Sequence, residues 1–321
     1  MSNNKNKRKF NNKLNHILEI PNEVGSSEPK ITIVGFNEML IENYKDANVI
    51  ICSSKYADEI KCDLNALGIK DNQIFTRAFL NLHDMDFSDI EPHITGYERA
   101  FNLFDDDVSK EVIVGRIKRL LFSLPIVASP QPSLYYFDPG VIDLSENEIF
   151  VDGGMYIGDT AELFFNRVEK KYRHYYGFEP DKDNYYEASK NLAGKDNVTL
   201  INKGLWSSET HLSFSAGLAT NSKLEVGGTS FVNVTALDVY FSNTRSLPTL
   251  IKMDIEGAEY EALLGAGHII CEQKPRLAIC AYHKTEDIYV LPDLIKSYRE
   301  DYKYYLRHYS SGIYGTVLYA V

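Results

Sequence analysis

The segment EIFVDGGMYIGDT, residues 148–160, combines an apolar run, an acidic residue and three glycines. The apolar residues before Asp152 are typical of a buried strand, and the residues after Gly158 fit the start of a helix. Gly153, Gly154 and Gly158 allow the backbone between the two elements to approach a ligand closely. The segment therefore predicts a strand, a glycine-rich loop and a helix, which is compatible with a nucleotide site or with a tight turn.

The alternation of strands and helices continues to the end of the chain. Further strands are predicted at HYYGFEP, NVTLINKGLW, PTLIKMDIEG and PRLAICAY, and a β-rich excursion, THLSFS and TSFVNVTALDV, interrupts the series. The last two strands, KYYLRHYS and YGTVLYAV, flank a short Gly-containing turn and are predicted to form an antiparallel hairpin. We therefore predict a doubly wound, Rossmann-like α/β sheet, mostly parallel, with an antiparallel C-terminal hairpin at its edge.

The sequence before this sheet has a different organisation. Residues 1–29 hold the basic run KNKRKFNNK in Asn-rich sequence and are predicted to be a disordered leader, without the apolar region of a signal peptide. Residues 30–124 are predicted to be a smaller α/β accessory domain with a structural or oligomerising role, which makes a homo-oligomer possible. Residues 125–140, which contain four prolines, are predicted to link it to the sheet domain, residues 141–321.

Charge and composition exclude several classes of protein. The chain has 45 acidic and 34 basic residues, so a nucleic-acid partner is disfavoured. No apolar run approaches the roughly 20 residues that a membrane-spanning helix needs. The four cysteines form no C-x-x-C pair, which argues against structural zinc and favours a reducing cytoplasm. We predict a cytoplasmic protein without a membrane span.

Polar and small residues follow the predicted strands of the sheet. Ligands of doubly wound sheets bind at the carboxyl ends of the strands, and a carboxylate about 20 residues past a glycine loop can accept both hydroxyls of a ribose. The residues at these ends are Asp152 with its glycines, Glu179 and Pro180, then Gly204, Leu205 and Trp206, and finally Asp254 and Glu256. They predict one site at one edge of the sheet.

Two features of the glycine loop narrow the choice of ligand. The loop lacks the G-K-[ST] of a P-loop, and Asp152 precedes its glycines, where a carboxylate would repel a pyrophosphate. A carboxylate in this place suits a ligand that carries an ammonium or sulfonium group and no phosphate. S-adenosylmethionine fits that description.

Several blocks of sequence, in series along the chain, carry a family resemblance. These blocks are YFDPGVIDLSENEIFVDGGMYIGDT, GFEP, NKGLW, TALDVY, LIKMDIEGAEYEALLGA and LAICAYHKTEDIYVLP, and KMDIEGAE is the most diagnostic stretch among them. Over residues 136–321 the sequence resembles the FkbM family of S-adenosylmethionine-dependent methyltransferases. The resemblance implies O-methylation of a hydroxyl of a sugar, glycan or secondary metabolite, with S-adenosylhomocysteine as the product.

The resemblance also implies roles for single residues. The glycine loop would hold the methionine end of the cofactor, Glu179 the ribose hydroxyls and the NKGLW stretch the adenine. Asp254, Glu256 and His283 would face the transferring methyl group and the acceptor. The predicted cofactor-binding residues are Asp152, Gly153, Gly154, Tyr156, Gly158, Asp159, Thr160, Glu179, Pro180, Gly204, Leu205, Trp206 and Asp254.

The proton of the acceptor hydroxyl needs a base, and His283 is best suited near neutral pH. Asp254 or Glu256 would orient this histidine, act as the base, or bind a divalent cation that acidifies the alcohol. A metal-free site is favoured, because a hard cation usually wants more oxygen ligands than this pair offers. His308 is a second candidate, for which a structural role is favoured.

Two other classes of function stay open at this point. The chain would also suit a catalytically inactive protein that binds S-adenosylmethionine, or a protein-interaction module. A nucleic-acid methyltransferase is the alternative enzyme, and the acidic balance of the chain disfavours it.

Overall fold

The computed structural model describes residues 49–51, 57–66, 68–76, 91–122, 126, 135–168, 171–215, 223–224, 230–244, 246–310 and 314–321. All of them belong to one compact unit, Ala47–Val321. The predicted leader and the predicted strand KITIVGF lie outside the described residues. Among the described residues, no helix is both long enough and apolar enough to cross a membrane.

The described helices and strands follow one another in mixed order. They are β1 (Val49–Ile51), α1 (Ala57–Ala66), β2 (Ile74–Thr76), α2 (Ile94–Leu103), α3 (Asp107–Phe122), β3 (Ile149–Gly153), α4 (Asp159–Arg167), β4 (His174–Phe178), α5 (Lys182–Asn191), β5 (Val198–Ile201), β6 (Gly204–Leu205), β7 (Thr210–Ser215), β8 (Lys223–Leu224), β9 (Ser230–Thr235), α6 (Leu237–Tyr240), β10 (Leu250–Met253), α7 (Glu259–Leu264), α8 (Gly267–Gln273), β11 (Arg276–Cys280), α9 (Asp287–Tyr298), β12 (Tyr304–His308) and β13 (Thr316–Ala320).

Seven of these strands form the central sheet, in the order β12-β13-β11-β10-β3-β4-β5. The strands from β11 to β5 run parallel, whereas β13 lies between β11 and β12 and is antiparallel to both. This confirms the predicted doubly wound sheet with an antiparallel C-terminal hairpin. The strand order reverses between β3 and β10, so the ligand crevice of such a sheet is expected at the carboxyl ends of these two strands.

Strands β3 and β10 are buried along their whole length, because the sheet is covered on both faces. Successive residues of a strand point to opposite faces, so neighbouring side chains enter different cores. Phe150 packs in one core with Leu250, and Val151 packs in the other with Ile251. The two central strands are therefore fixed in register by packing on both sides, and the loops that follow them have a rigid base.

The β-rich excursion forms a second sheet of four strands, in the order β6-β9-β7-β8. The structure divides the predicted strand NVTLINKGLW between the two sheets. Its first part is β5, at the edge of the central sheet, and its last part is β6, which pairs with β9. The backbone N–H of Lys203 donates to the carbonyl of Ile201 over 2.9 Å, a tight turn that redirects the chain.

Helices α2 and α3 belong to the covering layer of the central sheet. Tyr97 and Phe104 share a core with Val151, and the hydroxyl of Ser109 accepts a hydrogen bond from the backbone N–H of Leu306 over 2.8 Å. The helical part of the range predicted as an accessory domain thus packs directly against the sheet. The earlier part is represented by β1 and β2, which pair in parallel as the predicted β/α unit requires. The predicted domain boundaries themselves stay a prediction.

Candidate active site

The glycine loop crosses directly over the end of β10. Gly154 adopts a left-handed conformation, with φ of 72°, and a Cβ atom there would overlap the carbonyl oxygen of Asp254. Its backbone N–H donates to the carbonyl of Phe178, at the end of β4. Gly158 is also left-handed, with φ of 93°, and α4 begins at the next residue. The loop therefore requires glycine at Gly154 for space as well as for backbone conformation.

The side chain of Asp152 is fully buried, and both of its oxygens are engaged inside the protein. Lys252 Nζ lies 2.8 Å from Oδ1, and the Tyr175 hydroxyl donates to Oδ2 over 2.8 Å. The same ammonium donates to the carbonyls of Gly153 and Gly154, at 3.2 and 2.8 Å. Lys252 thus ties β10 to the glycine loop, and the predicted contact of Asp152 with the cofactor stays a prediction.

The charge state of Lys252 follows from this contact. Burial alone would lower its pKa, but the charges of Asp152 and Asp254 and the hydrogen bond with Asp152 raise the pKa of Lys252 above its ordinary value. The pair is therefore a buried ion pair, and removal of either partner would leave an uncompensated charge inside the protein.

Glu179 follows β4 and lies beside the glycine loop, as the sequence predicts. Its carboxylate accepts the backbone N–H of Tyr156 over 3.1 Å and that of Asp181 over 2.9 Å. Burial raises the pKa of Glu179 to about 7, although both hydrogen bonds oppose the shift. Each oxygen keeps a lone pair for a further donor, so the carboxylate can hold a ligand that carries two hydroxyls.

Some of the remaining residues predicted to bind the cofactor lie beside the glycine loop, and others do not. Leu205 meets the loop, since a Cβ on Gly153 would come within 2.7 Å of its side chain, and Pro180 lies against Gly204. Trp206 instead packs on the core of the second sheet, so its predicted role as an adenine wall stays a prediction. At the start of α4, Asp159 is exposed and Thr160 is buried.

Asp254 is held by two tyrosines. The hydroxyl of Tyr136 donates to Oδ2 over 2.7 Å, and that of Tyr282 donates to Oδ1 over 2.8 Å. Burial alone would raise the pKa of Asp254, but the charges of Lys252 and His283 and the two hydroxyls lower it below its ordinary value. Tyr136 comes from the range predicted as a linker, where it is buried in a left-handed conformation with φ of 64°. The segment therefore supplies a side chain to the site.

His283 lies among three carboxylates, and we call Asp254, Glu256, Glu259 and His283 the acid–histidine cluster. Its Nε2 is 3.6 Å from an oxygen of Asp254 and 3.6 Å from an oxygen of Glu256, and its Nδ1 is 3.1 Å from Oε1 of Glu259. Burial alone would lower the pKa of His283, but the contact with Glu259 and the charges of the three carboxylates raise it. The structure thus brings together the three residues predicted to be catalytic, and it places the carboxylate of Glu259 beside them.

A tight turn explains how acids so close in sequence surround one imidazole. Glu256 and Gly257 are both left-handed, with φ of 57° and 91°. The turn brings the start of α7 back, so that Oε1 of Glu259 accepts the backbone N–H of Ile255 over 2.9 Å. Sequence reasoning missed Glu259, although it lies inside the diagnostic stretch KMDIEGAE. It also missed Lys252, in the same stretch.

His308, the second candidate histidine, has a different setting. It is buried on β12, and its Nδ1 lies 2.9 Å from the hydroxyl of Thr316 on β13. The contact joins the two strands of the C-terminal hairpin, which supports the structural role favoured for it.

The chain resembles known proteins both in sequence and in structure. Residues 152–304 match the family model of the methyltransferase FkbM domain. A solved structure of a methyltransferase FkbM from Methylobacillus flagellatus aligns with a TM-score of 0.62 and 24% identity, over 82% of this chain and 70% of that chain. The matched range contains Glu179 and the whole acid–histidine cluster.

Two other solved structures align over little more than half of this chain. An rRNA methylase from Streptococcus thermophilus has 18% identity and a TM-score of 0.36, over 55% of this chain and 87% of that chain. A fibrillarin from Aeropyrum pernix with natively bound S-adenosyl-L-methionine has 11% identity and a TM-score of 0.34, over 57% and 70%. No curated protein sequence matches the chain.

Proposed function

We propose that the protein methylates a hydroxyl of a sugar, glycan or secondary metabolite, because residues 152–304 match the family model of the methyltransferase FkbM domain. This family implies methyl transfer from S-adenosylmethionine. The observation that carries the proposal is the acid–histidine cluster, which follows β10 and β11 at the edge of the sheet where the glycine loop also lies. The loop would hold the methyl donor, and the cluster would receive the acceptor's proton.

The residues around the loop fit the cofactor chemically. Each oxygen of Glu179 accepts one backbone N–H, that of Tyr156 or that of Asp181. Each also retains acceptor capacity for one of the two ribose hydroxyls. Leu205 and Pro180 supply apolar surface next to the glycines. S-adenosylmethionine, when bound, supplies an activated methyl group on a sulfonium.

The acid–histidine cluster fits the removal of a proton from an alcohol. With S-adenosylmethionine bound, the acceptor oxygen would bond to the methyl carbon as the carbon–sulfur bond broke with its electron pair on sulfur, and the hydroxyl proton would pass to Nε2 of His283. The imidazolium formed in this way is stabilised by Glu259 at Nδ1 and by the charges of Asp254 and Glu256. A base of this kind contributes about 10²–10⁴-fold to a rate, and alignment of the two reactants contributes much of the rest.

The surroundings of the cluster support a sugar as the acceptor. Tyr314 is exposed, and its ring meets the ring of Tyr282 edge to face, with 5.7 Å between centroids. Tyr282 in turn lies against His283, at 4.1 Å between centroids. Exposed tyrosine rings provide an apolar face with a polar tip, which suits the stacking of a sugar ring beside the base.

Calorimetry and methyl transfer test the proposal on the full chain. We expect the protein to bind S-adenosylmethionine and to transfer a labelled methyl group to at least one acceptor in a panel of sugars and glycans. We expect His283→Ala to lower the transfer rate by at least about 10²-fold with nearly unchanged cofactor affinity. His268→Ala, which changes an exposed histidine on α8, is the control.

Two outcomes would contradict the proposal. Absence of cofactor binding would exclude methyl transfer, and binding without transfer to any acceptor would favour the inactive cofactor-binding protein. Transfer at the full rate in His283→Ala would remove the histidine from the reaction.

A further inference from the structure

We propose that Asp254, Glu259 and His283 bind a divalent cation of the Mg²⁺ and Mn²⁺ class. Each of these residues offers one ligand atom, and the three atoms lie within 4.8 Å of one another. Around a cation with bonds of about 2.1 Å, two ligand atoms lie about 3 Å apart when adjacent and about 4.2 Å apart when opposite. A small closure of the three side chains therefore places them at bonding distance.

Unpartnered polar atoms at the centre of the cluster support this site. Oε2 of Glu259 and both ring nitrogens of His283 are buried and make no hydrogen bond. Nδ1 of His283 lies 3.1 Å from Oε1 of Glu259, and this contact leaves Oε2 of the same carboxylate without a partner. The side chains are 1% and 9% exposed, so water does not replace the missing partners freely. A buried carboxylate oxygen without a partner is costly, and a cation removes that cost.

The local charge points the same way. Three carboxylates, those of Asp254, Glu256 and Glu259, surround one imidazole. The nearby ammonium of Lys252 is already held by Asp152 and by two loop carbonyls. A divalent cation at the centre would compensate the negative charges of Asp254 and Glu259, as metal ions do in other carboxylate clusters.

The groups behind the ligands are arranged as they are in metal sites. Both oxygens of Asp254 accept tyrosine hydroxyls, and Oε1 of Glu259 accepts a backbone N–H. Such contacts fix the orientation of ligands without using all of their lone pairs. Two carboxylates and one imidazole form a mostly hard donor set, which suits Mg²⁺ or Mn²⁺ better than a thiolate-preferring metal.

Three protein ligands leave positions open for water and for a substrate oxygen. This role rests on the proposed function, because the open positions would bind the acceptor hydroxyl and acidify it. With a cation bound, His283 would act as a metal ligand and no longer as the general base. The sequence alone favoured a metal-free site because only Asp254 and Glu256 were visible as oxygen ligands, and Glu259 supplies the additional one.

Titration of the EDTA-treated full chain with Mn²⁺, followed by calorimetry and by electron paramagnetic resonance, tests the inference. We expect one Mn²⁺ per chain, and affinity at least tenfold lower in Glu259→Gln and in His283→Ala. Glu259→Gln retains the oxygen that accepts the N–H of Ile255, so the turn is preserved. Glu261→Gln, on the same helix, and His268→Ala are matched controls and should bind Mn²⁺ like the unmodified protein.

A second readout does not depend on activity. Mn²⁺ should raise the melting temperature of the unmodified chain and of both controls, but not that of Glu259→Gln. Absence of Mn²⁺ binding by the unmodified chain, or equal affinity in Glu259→Gln, would overturn the inference. Cofactor binding and methyl transfer by a chain that binds no Mn²⁺ would overturn the inference and leave the proposed function intact. Mn²⁺ binding by a chain that binds no cofactor would contradict the proposed function and leave the cation site intact.

Discussion

Asp152 lies near the end of β3 and Asp254 directly follows the neighbouring strand β10, yet the two carboxylates lie in different environments. The Asp152 side chain is fully buried, with an ammonium on one oxygen and a phenol on the other. The Asp254 side chain is 24% exposed and faces His283. We call the first setting the closed pair, made of Asp152 and Lys252, and compare it with the open acid–histidine cluster.

The difference between the two settings indicates that one group of residues in the crevice stabilises the fold and that another is suited to chemistry. Asp152 has its ammonium and phenol partners inside the protein, so the closed pair positions the loop, while its predicted contact with the cofactor stays a prediction. The acid–histidine cluster instead gathers three carboxylates around one imidazole, and clusters of like charge of this kind occur at functional sites. Four substitutions test this division, from the largest expected effect to the smallest.

Lys252→Met would break the closed pair and have the largest effect on stability. The change leaves the Asp152 carboxylate buried without its cation, which costs about 3–5 kcal/mol of unfolding free energy. Lys274→Met is the control, because its partner Asp301 is exposed and such a pair contributes about 0–1 kcal/mol. Urea denaturation measures both. A loss of unfolding free energy below 1 kcal/mol for Lys252→Met would show that the pair does not stabilise the loop.

Gly154→Ala would test whether the loop depends on its contact with β10. A left-handed alanine costs about 1–2 kcal/mol anywhere, and overlap with the Asp254 carbonyl adds about 1–3 kcal/mol. Gly194→Ala is a matched control, since Gly194 is also left-handed but a Cβ there would meet open space. The difference between the two unfolding free energies isolates the overlap. Equal losses would show that the loop moves away from β10 without cost.

Glu179→Ala would weaken binding of S-adenosylmethionine, measured by calorimetry, by about 10–100-fold, because hydrogen bonds to a charged group are lost. Since the pKa of Glu179 is about 7 and the ionised carboxylate accepts the ribose hydroxyls, affinity should fall by up to about tenfold per pH unit below pH 7. Above pH 7 the affinity for S-adenosylmethionine should become independent of pH. Glu179→Gln should remove this dependence, and Glu187→Gln, an exposed residue of α5, should keep it. A pH-independent affinity in the unmodified chain would exclude Glu179 as the ribose ligand.

Tyr282→Phe would remove one of the two hydroxyls that hold Asp254. We expect about tenfold slower methyl transfer and a stability change of about 1 kcal/mol, because one hydrogen bond to a carboxylate is lost while the ring stays in place. Tyr186→Phe, at an exposed position of α5, should change neither quantity. An unchanged transfer rate in Tyr282→Phe would show that Tyr136 alone orients Asp254.

The two regions differed in how far the sequence predicted them. The glycine loop, Glu179 and Asp254 were predictable because each stands at the end of a strand that its apolar pattern reveals. Glu259 was not, because its place depends on the left-handed turn at Glu256, which sequence patterns rarely indicate for a non-glycine residue. Lys252 lies inside an apolar strand, and its role could not be predicted because its partner, Asp152, lies on a different strand.

The sequence by itself determined the order of strands and helices, the glycine loop and the set of carboxylates at the strand ends, because these follow from local periodicity and from backbone conformation. Only the tertiary structure decided which polar groups are satisfied. Tyr136 reaches Asp254 across 118 positions of the chain, and His283 meets Glu259 only when β10 and β11 lie side by side. Satisfaction of a buried charge is a property of the atoms around it, and folding brings those atoms from distant parts of the chain.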